Sequence, residues 1–276
     1  TGATLFQHMT YNHVGIANAT GAASLAPQKA FIPLQFYFCR NPGLALPLIA
    51  LQYHEVKLIV EFDTEANVNV TTGSGSASSV KLWADYVYLD TDERRRFAQV
   101  SHEYLIEQLQ FQESAAGATH TLNLNHPVKE LVITGSQDGR STSIHGGQAN
   151  PTVPQLSSDG ATDLNDTTTT MKLQLNGHDR MAPRQWAYFT RTQAFQHHPK
   201  CGGGVKGDAI GVYSFALEPE EHQPSGTCNF SRIDTAKLVF SAGVCGESTS
   251  NGLKIYAVNY NVLRIMSGMG GLAYSN

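Results

Sequence analysis

Hydrophobic and polar residues alternate along several short segments of this chain. In residues 56–62 an apolar side chain occupies every second position, with Lys57 and Glu61 between them. Residues 171–175 alternate in the same way and are followed by Asn176 and Gly177, a strong signal for a tight turn. Because neighbouring side chains of a strand point to opposite faces, both segments are predicted to be strands.

The same reasoning extends to most of the chain. Segments rich in β-branched, aromatic and alternating apolar residues predict further strands at 31–38, 80–89, 119–125, 128–134, 212–217, 236–242 and 253–266. One short helix is predicted to begin after Asp90, a capping residue followed by acids, and to end near Val100. Residues 103–113 fit both a strand and a helix. Many strands and almost no helix predict an all-β, antiparallel sandwich.

Long polar segments separate the predicted strands. Residues 63–79 are rich in Gly and Ser, residues 135–170 contain little apolar side chain, and residues 196–210 include three consecutive glycines. Loops as long as 135–170 usually have a function, so we expect one for this loop and for 196–210.

The C-terminal segment is one of the most apolar parts of the chain. Residues 253–266 carry apolar side chains on both faces of the predicted strand, and glycines at 268–271 allow a sharp turn. We therefore predict a buried closing strand and a tight turn, after which Leu272 and Tyr274 pack against the protein.

Composition and charge exclude some classes of function. Of the 276 residues, 15% are charged, against about 25% in typical globular proteins, and the net charge is −4. This argues against nucleic-acid binding through a broad basic surface. Residues 94–96 are three arginines that follow acidic residues, and we expect them to be solvated or paired locally.

The cysteines indicate the redox environment of the protein, and the N-terminal residue indicates how the chain begins. Cys39, Cys201, Cys228 and Cys245 lie far apart without a C-x-x-C pair, which suits free thiols in a reducing compartment better than a disulfide scaffold. The sequence shows neither a signal peptide nor a long apolar helix. It begins with Thr1, so we expect a fragment or a processed chain.

The sequence contains few candidate catalytic or metal-binding residues. G-x-S-x-G, P-loop and H-E-x-x-H motifs are absent from the sequence. His197, His198 and Cys201 could ligate zinc, but no second ligand pair stands at a suitable spacing. His120 and His126 are predicted to be ordinary surface histidines. We predict no catalytic residue, no cofactor and no metal site.

The sequence contains N-x-[ST] sequons, which are acceptors for N-glycans in surface loops. Asn69 and Asn165 fall in long polar loops, and Asn18 lies near the N-terminal end. These three are the candidate glycosylation sites, with chance occurrence in an Asn- and Thr-rich chain as the alternative. Asn229 is predicted to have a structural role instead.

Several blocks of sequence carry a resemblance to a known family. PGLALPLIALQYHEVKL, LDTDERRRFAQVSHEYLIEQLQF, PSGTCNFSRID and NVLRIMSGMGGLAYSN resemble, in this order, the major capsid proteins of large icosahedral double-stranded DNA viruses. The similarity is strongest to the phycodnaviruses of algae and extends to the related iridoviruses. The blocks span most of residues 28–276, whereas residues 1–27 and 135–170 show no clear match.

The resemblance implies two jelly-roll sandwiches in tandem and homotrimers that look hexagonal from outside. We expect residues 1–103 to hold closing strands of the first jelly roll plus a linker, and residues 104–276 to form the second, with 103–113 as a strand. The family implies a virion shell assembled in the host cytoplasm. Its partners would be neighbouring capsomers and minor capsid proteins. An internal membrane would lie beneath the shell, without insertion, and no sequence-specific nucleic-acid binding is implied.

The residues themselves leave two other classes of function open. A carbohydrate-binding β-sandwich would use loop aromatics such as Trp186 and Tyr188 to grip sugar. A cupin-like metalloenzyme would use the loop histidines. Stable trimers with neither metal nor glycan binding would favour the capsid interpretation.

Overall fold

The computed structural model describes residues 31–61, 80–115, 117–136, 170–199, 210–244 and 252–274. The helices are α1 (Tyr37–Arg40), α2 (Thr91–Gln99) and α3 (Gln193–His197), with a π-helical turn at Tyr188–Thr192 and 3₁₀ turns at Pro42–Leu44 and Phe230–Arg232. The strands are β1 (His102–Ala115), β2 (Gly117–Leu122), β3 (Pro127–Ser136), β4 (Thr170–Leu175), β5 (His178–Asp179), β6 (Arg184–Gln185), β7 (Ile210–Ser214), β8 (Cys228–Asn229), β9 (Ala236–Val244), β10 (Gly252–Met266) and β11 (Met269–Leu272).

The chain divides into two compact units. The first, here called the sandwich unit, comprises Thr1–Gln35 and Glu107–Tyr260. The second unit comprises Phe36–Ile106 and Asn261–Asn276. The expected domain boundary at residue 103 remains a prediction.

Two sheets form the sandwich unit. One has the strand order β1-β10-β3-β7, with β8 beside β3, and the other has the order β2-β9-β4-β5, with β6 beside β4. The pairs β10–β3, β3–β7, β2–β9 and β4–β9 are antiparallel. Strands that are distant in sequence therefore lie side by side in both sheets, as the crossovers of a Greek-key sandwich require.

The core of the sandwich unit follows from the alternation along its strands. Over residues 131–134 of β3 and 253–258 of β10 every second side chain is fully buried, and the residues between them are partly exposed. The neighbouring Lys129 and Glu130 of β3 and residues 259–261 of β10 break this alternation, because all of them are buried. The buried set from both sheets forms one hydrophobic cluster, which includes Leu122, Val128, Leu131, Ile133, Met171, Leu173, Phe189, Leu238, Phe240, Leu253, Ile255 and Ala257. Period-two patterning thus correctly indicates which face of each of these strands is buried.

A tight hairpin connects β10 to β11 in the second unit. Ser267 and Gly268 both have positive φ, 53° and 82°, and Met266 pairs with Met269 across the turn. The Gly268 carbonyl accepts a hydrogen bond from the Tyr53 amide at 3.0 Å. A Cβ at Gly268 would lie 2.5 Å from Cδ2 of Tyr53, so this turn requires glycine for both conformation and space.

Most of the strand predictions are confirmed. Strands cover the predicted segments at 103–113, 119–125, 128–134, 171–175, 212–217, 236–242 and 253–266, with ends that differ by a few residues. The helix after Asp90 is also confirmed as α2. Within that helix Arg95 lies 4.0 Å from the Asp92 carboxylate and both side chains are exposed, as expected for residues 94–96.

The predicted strands at 31–38, 56–62 and 80–89 are wrong for the residues that the structure describes. Helix α1 begins at Tyr37, and neither 56–61 nor 80–90 pairs with another described segment. Alternation is a property of side chains, whereas a strand also needs a partner for its backbone N–H and C=O groups. Ile59, Trp83 and Tyr88 are 80%, 78% and 92% exposed, as unpaired segments would leave them.

The C-terminal prediction is partly confirmed. Strand β10 is central in its sheet, between β1 and β3, and Leu253, Ile255 and Ala257 are fully buried on one face. A tight turn follows at Ser267 and Gly268, whereas Met269–Leu272, which include most of the turn predicted at 268–271, form strand β11. The packing expected of Leu272 and Tyr274 is wrong, because both side chains are about half exposed. The Tyr274 backbone instead bonds to the Asn261 side chain.

Candidate functional site

The helical segment at residues 188–197 is fixed to strand β7 through one buried glutamine. The Gln193 Oε1 atom accepts a hydrogen bond from the Ser214 amide at 3.2 Å, and its Nε2 donates to the Tyr188 hydroxyl at 3.0 Å. Gln193 is only 5% exposed, so its amide satisfies polar groups that water cannot reach. The segment therefore has one defined position against the sheet.

Two adjacent histidines end this segment. His197 Nδ1 lies 2.9 Å from the Leu217 carbonyl, which can only accept, so this nitrogen carries the proton. His198 Nδ1 lies 3.2 Å from Glu220 Oε1, and its Nε2 lies 3.2 Å from Glu130 Oε2. Both ring nitrogens of His198 thus face carboxylates, one from β3 and one from the segment after β7.

The surroundings of His198 favour its charged form. The Glu130 carboxylate raises the pKa of His198, burial opposes this, and the Glu220 carboxylate raises the pKa further. The contact with Glu130 is an ion-pair contact, since neither Nε2 nor Glu130 Oε2 has an aligned hydrogen-bond partner in the described part of the chain.

A second ion pair lies next to the first along β3. Lys129 is 2% exposed, and its Nζ contacts Glu107 Oε1 at 2.5 Å and donates to the Pro219 carbonyl at 2.6 Å. The same Nζ lies 5.5 Å from the centre of the Tyr260 ring. Burial raises the pKa of Tyr260, and the charges of Glu107 and Glu130 add to that rise. Lys129 therefore connects β3 directly to residues 217–221, and Glu130 connects β3 to the same residues through His198.

The acidic and basic side chains of this site form ion pairs and hydrogen bonds that hold neighbouring segments together. Over the ranges that the structure describes, no group of three His, Cys, Asp or Glu side chains could hold a metal ion. Cys201, the third residue of the candidate zinc set, lies outside those ranges. The charged network was not predicted from the sequence, although Lys129 and Glu130 within the apolar run VKELVIT are a signal for it.

The aromatic residues of the carbohydrate-binding alternative are packed inward. Trp186 is 4% exposed, and its ring lies against the Gly211 backbone, where no side chain would fit. It also contacts the rings of Phe189 and Phe240. Tyr188 packs edge-on against Phe189. Trp186 in particular presents no open face to a sugar.

The prediction that His120 and His126 are surface histidines is wrong. His120 is 1% exposed, packs against Phe240 and bonds to the Ser114 hydroxyl and the Gly117 carbonyl. Burial lowers the pKa of His120, although the Gly117 bond opposes this. His126 is buried in a turn with φ of 65°, where its amide donates to Ser231 Oγ. Both residues are buried in the folded protein, which their sequence context did not reveal.

The candidate glycosylation sites Asn18, Asn69 and Asn165 lie outside the described residues, as do most of the loops 135–170 and 196–210. Asn229 is described, and its Oδ1 accepts a hydrogen bond from the Ser231 amide at 3.1 Å. This contact caps the 3₁₀ turn Phe230–Arg232, which agrees with the structural role predicted for Asn229.

Family models and relatives of known identity match this chain over most of its length. The family model described as large eukaryotic DNA virus major capsid protein matches residues 93–271, and a model for the major capsid protein N-terminus matches residues 7–90. The major capsid protein of Pyramimonas orientalis virus is 51% identical over 94% of this chain, which spans 64% of that relative. That of Paramecium bursaria Chlorella virus 1 is 41% identical over 96% of this chain, which spans 71% of it.

A solved structure shows the same fold. A chain of the quasi-atomic model of the PBCV-1 virus capsid matches with a TM-score of 0.69 and 37% identity, over 96% of this chain and 75% of that chain. The predicted antiparallel jelly-roll sandwich is confirmed by this match and by the two-sheet topology.

Proposed function

Because the chain belongs to the family of large eukaryotic DNA virus major capsid proteins, we propose that it builds the wall of an icosahedral viral shell as a pseudo-hexagonal homotrimer. The observation that carries this proposal is the match to the PBCV-1 capsid over 96% of the chain. The chain spans about two thirds of the length of its curated relatives, so the proposal concerns the part that this sequence provides.

The exposed apolar segments of the second unit support an assembling protein. Residues 56–61 and 80–90 expose several large apolar side chains and pair with no other described segment. Many exposed large apolar side chains in one part of a protein are typical of surfaces that another chain covers. We propose that these segments are covered in the assembled shell, either by further strands of the first jelly roll or by neighbouring subunits.

The remaining partners follow from the same proposal. The chain would contact its own copies within a trimer, neighbouring capsomers and minor capsid proteins, and the loops 135–170 and 196–210 would contribute to the trimer contacts. The shell would assemble in the host cytoplasm over an internal membrane. Among the described residues no helix is long and apolar enough to cross a membrane.

A purely structural role is part of the proposal. His197 and His198 are engaged with a carbonyl and with two carboxylates, and Trp186 is buried in the core. These contacts weigh against both the cupin-like enzyme and the carbohydrate-binding module. We expect purified protein to contain less than stoichiometric zinc by elemental analysis and to show no saturable binding to a glycan array. Stoichiometric zinc or saturable sugar binding would overturn this part.

Light scattering after size exclusion tests the assembly. We expect a species of three times the chain mass of 29.9 kDa. Because weak trimers dissociate on dilution, the measurement is repeated over a range of protein concentrations. A folded protein whose mass stays that of a monomer at every concentration would contradict the proposal.

A further inference from the structure

His198 lies between two carboxylates, a position that favours a doubly protonated, positively charged ring. A neutral imidazole has one N–H, and its other nitrogen would present a lone pair to a carboxylate. Here Nδ1 faces Glu220 and Nε2 faces Glu130, each at 3.2 Å. Loss of one proton would therefore turn one attractive contact into a repulsive one.

Among the residues that the structure describes, the groups around His198 offer no other way to balance these charges. Glu130 faces it from β3 and Glu220 from the segment after β7. Lys129 is engaged with Glu107 and the Pro219 carbonyl, and His197 with the Leu217 carbonyl. The three side chains of the cluster are 12% to 27% exposed, so water screens their charges only partly.

The contacts of His198 join three separate parts of the sandwich unit. Its own amide donates to the Ala194 carbonyl at 2.8 Å, at the end of α3. We propose that His198 is a protonation-controlled latch, which holds the C-terminal end of α3 against β3 and residues 217–221 when charged and releases it when neutral.

The direction of the pH effect follows from linkage. The neighbouring carboxylates raise the pKa of His198 above its ordinary value of 6.5. The stabilisation is therefore complete below about pH 6.5, and it is lost as the pH rises through the raised pKa. Between these two values, the equilibrium constant for local opening should rise about tenfold per pH unit.

Amide hydrogen exchange of the full chain between pH 5.5 and 9 tests the latch. After correction for the intrinsic exchange rate, we expect protection of residues 194–198 to fall at a midpoint above pH 6.5. His198→Gln should remove this dependence and leave protection at the low level that wild type shows at high pH. His197→Gln is the matched control, because among the described residues its ring bonds to the Leu217 carbonyl and to no carboxylate, and it should keep the dependence.

Proton NMR titration of the His198 ring in the wild-type protein gives a second readout that needs no variant to fold. Its midpoint should lie above 6.5, at the pH where the loss of protection levels off. Glu220→Gln should move both midpoints down together. Titration at or below 6.5, flat protection in wild type, or an unchanged pH dependence in His198→Gln would each overturn the proposal.

Discussion

The side-chain amide of Gln110 pairs with both backbone polar groups of Asn125. Its Oε1 accepts from the Asn125 amide at 2.9 Å, and its Nε2 donates to the Asn125 carbonyl at 2.6 Å. Gln112 makes a similar pair of bonds to two residues: its Oε1 accepts from the Asn123 amide at 2.8 Å, and its Nε2 donates to the Thr121 carbonyl at 2.6 Å. Glutamines of β1 thus supply the hydrogen bonds that a neighbouring strand would give to residues 121–125, where the backbone leaves β2.

The first prediction concerns this substitute for a β-ladder. Gln110→Ala removes the two bonds to Asn125 and a third from Nε2 to Asn259 Oδ1. At about 0.5–1.5 kcal/mol net for each of the three hydrogen bonds, we expect a loss of about 1.5–4.5 kcal/mol in the free energy of unfolding. Gln110→Glu keeps the acceptor and loses the donor, so its loss should be intermediate. Urea unfolding measures both, and an alanine variant as stable as wild type would disprove a structural role.

The second prediction concerns the buried ion pair. Lys129→Met removes the cation that Lys129 presents to the Glu107 carboxylate, which is 11% exposed. Breaking a buried pair from one side costs about 3–5 kcal/mol. The double variant Lys129→Met/Glu107→Leu removes both charges and should recover much of that loss. Thermal and urea unfolding of the single and double variants form a mutant cycle, in which simple additivity would show that the two residues do not interact.

The third prediction uses two isoleucines as a matched pair. Ile255 is fully buried in the sandwich core, whereas Ile59 is 80% exposed in the second unit. Ile255→Ala should cost about 2–5 kcal/mol, because it removes buried surface and leaves a cavity. Ile59→Ala should change the stability of the isolated chain by less than about 0.5 kcal/mol. Equal losses for the two variants would contradict the placement of the core.

The fourth prediction compares two glycines with positive φ. Gly177 has φ of 80° and open space where a Cβ would be, whereas Gly268 has φ of 82° and Tyr53 beside it. Gly177→Ala should cost about 1–2 kcal/mol from backbone strain alone. Gly268→Ala should cost about 1–3 kcal/mol more, since the Tyr53 ring must move. Urea unfolding distinguishes the two variants, and the reverse order of stabilities would show that the β10–β11 hairpin has a different geometry.

The sequence predicts the sandwich strands well because burial imposes a period of two on them. Leu131 and Ile133 in β3 illustrate this, since both are fully buried and the residue between them is partly exposed. The same signal misleads at Ile59 and Trp83, whose segments alternate but lack a partner strand among the described residues. Periodicity shows that a segment can form a strand, and pairing depends on residues far away in the sequence.

The candidate site was harder to predict than the fold. The identities of His197 and His198 suggested metal ligands, but which groups surround them depends on the crossover that places β3 beside β7. That pairing brings Glu130 and Glu220 to His198 from positions 68 residues before and 22 residues after it in sequence. The residues next to His198 in the sequence do not indicate such a long-range contact, so the cluster could be identified only from the structure.

The central claim, that this chain assembles into the trimeric unit of a viral shell, is tested most directly by electron microscopy of the purified protein. Class averages of single particles should show three-fold symmetric assemblies with three copies of the chain around a common axis. Class averages that show only isolated copies, or closed assemblies without three-fold symmetry, would contradict it.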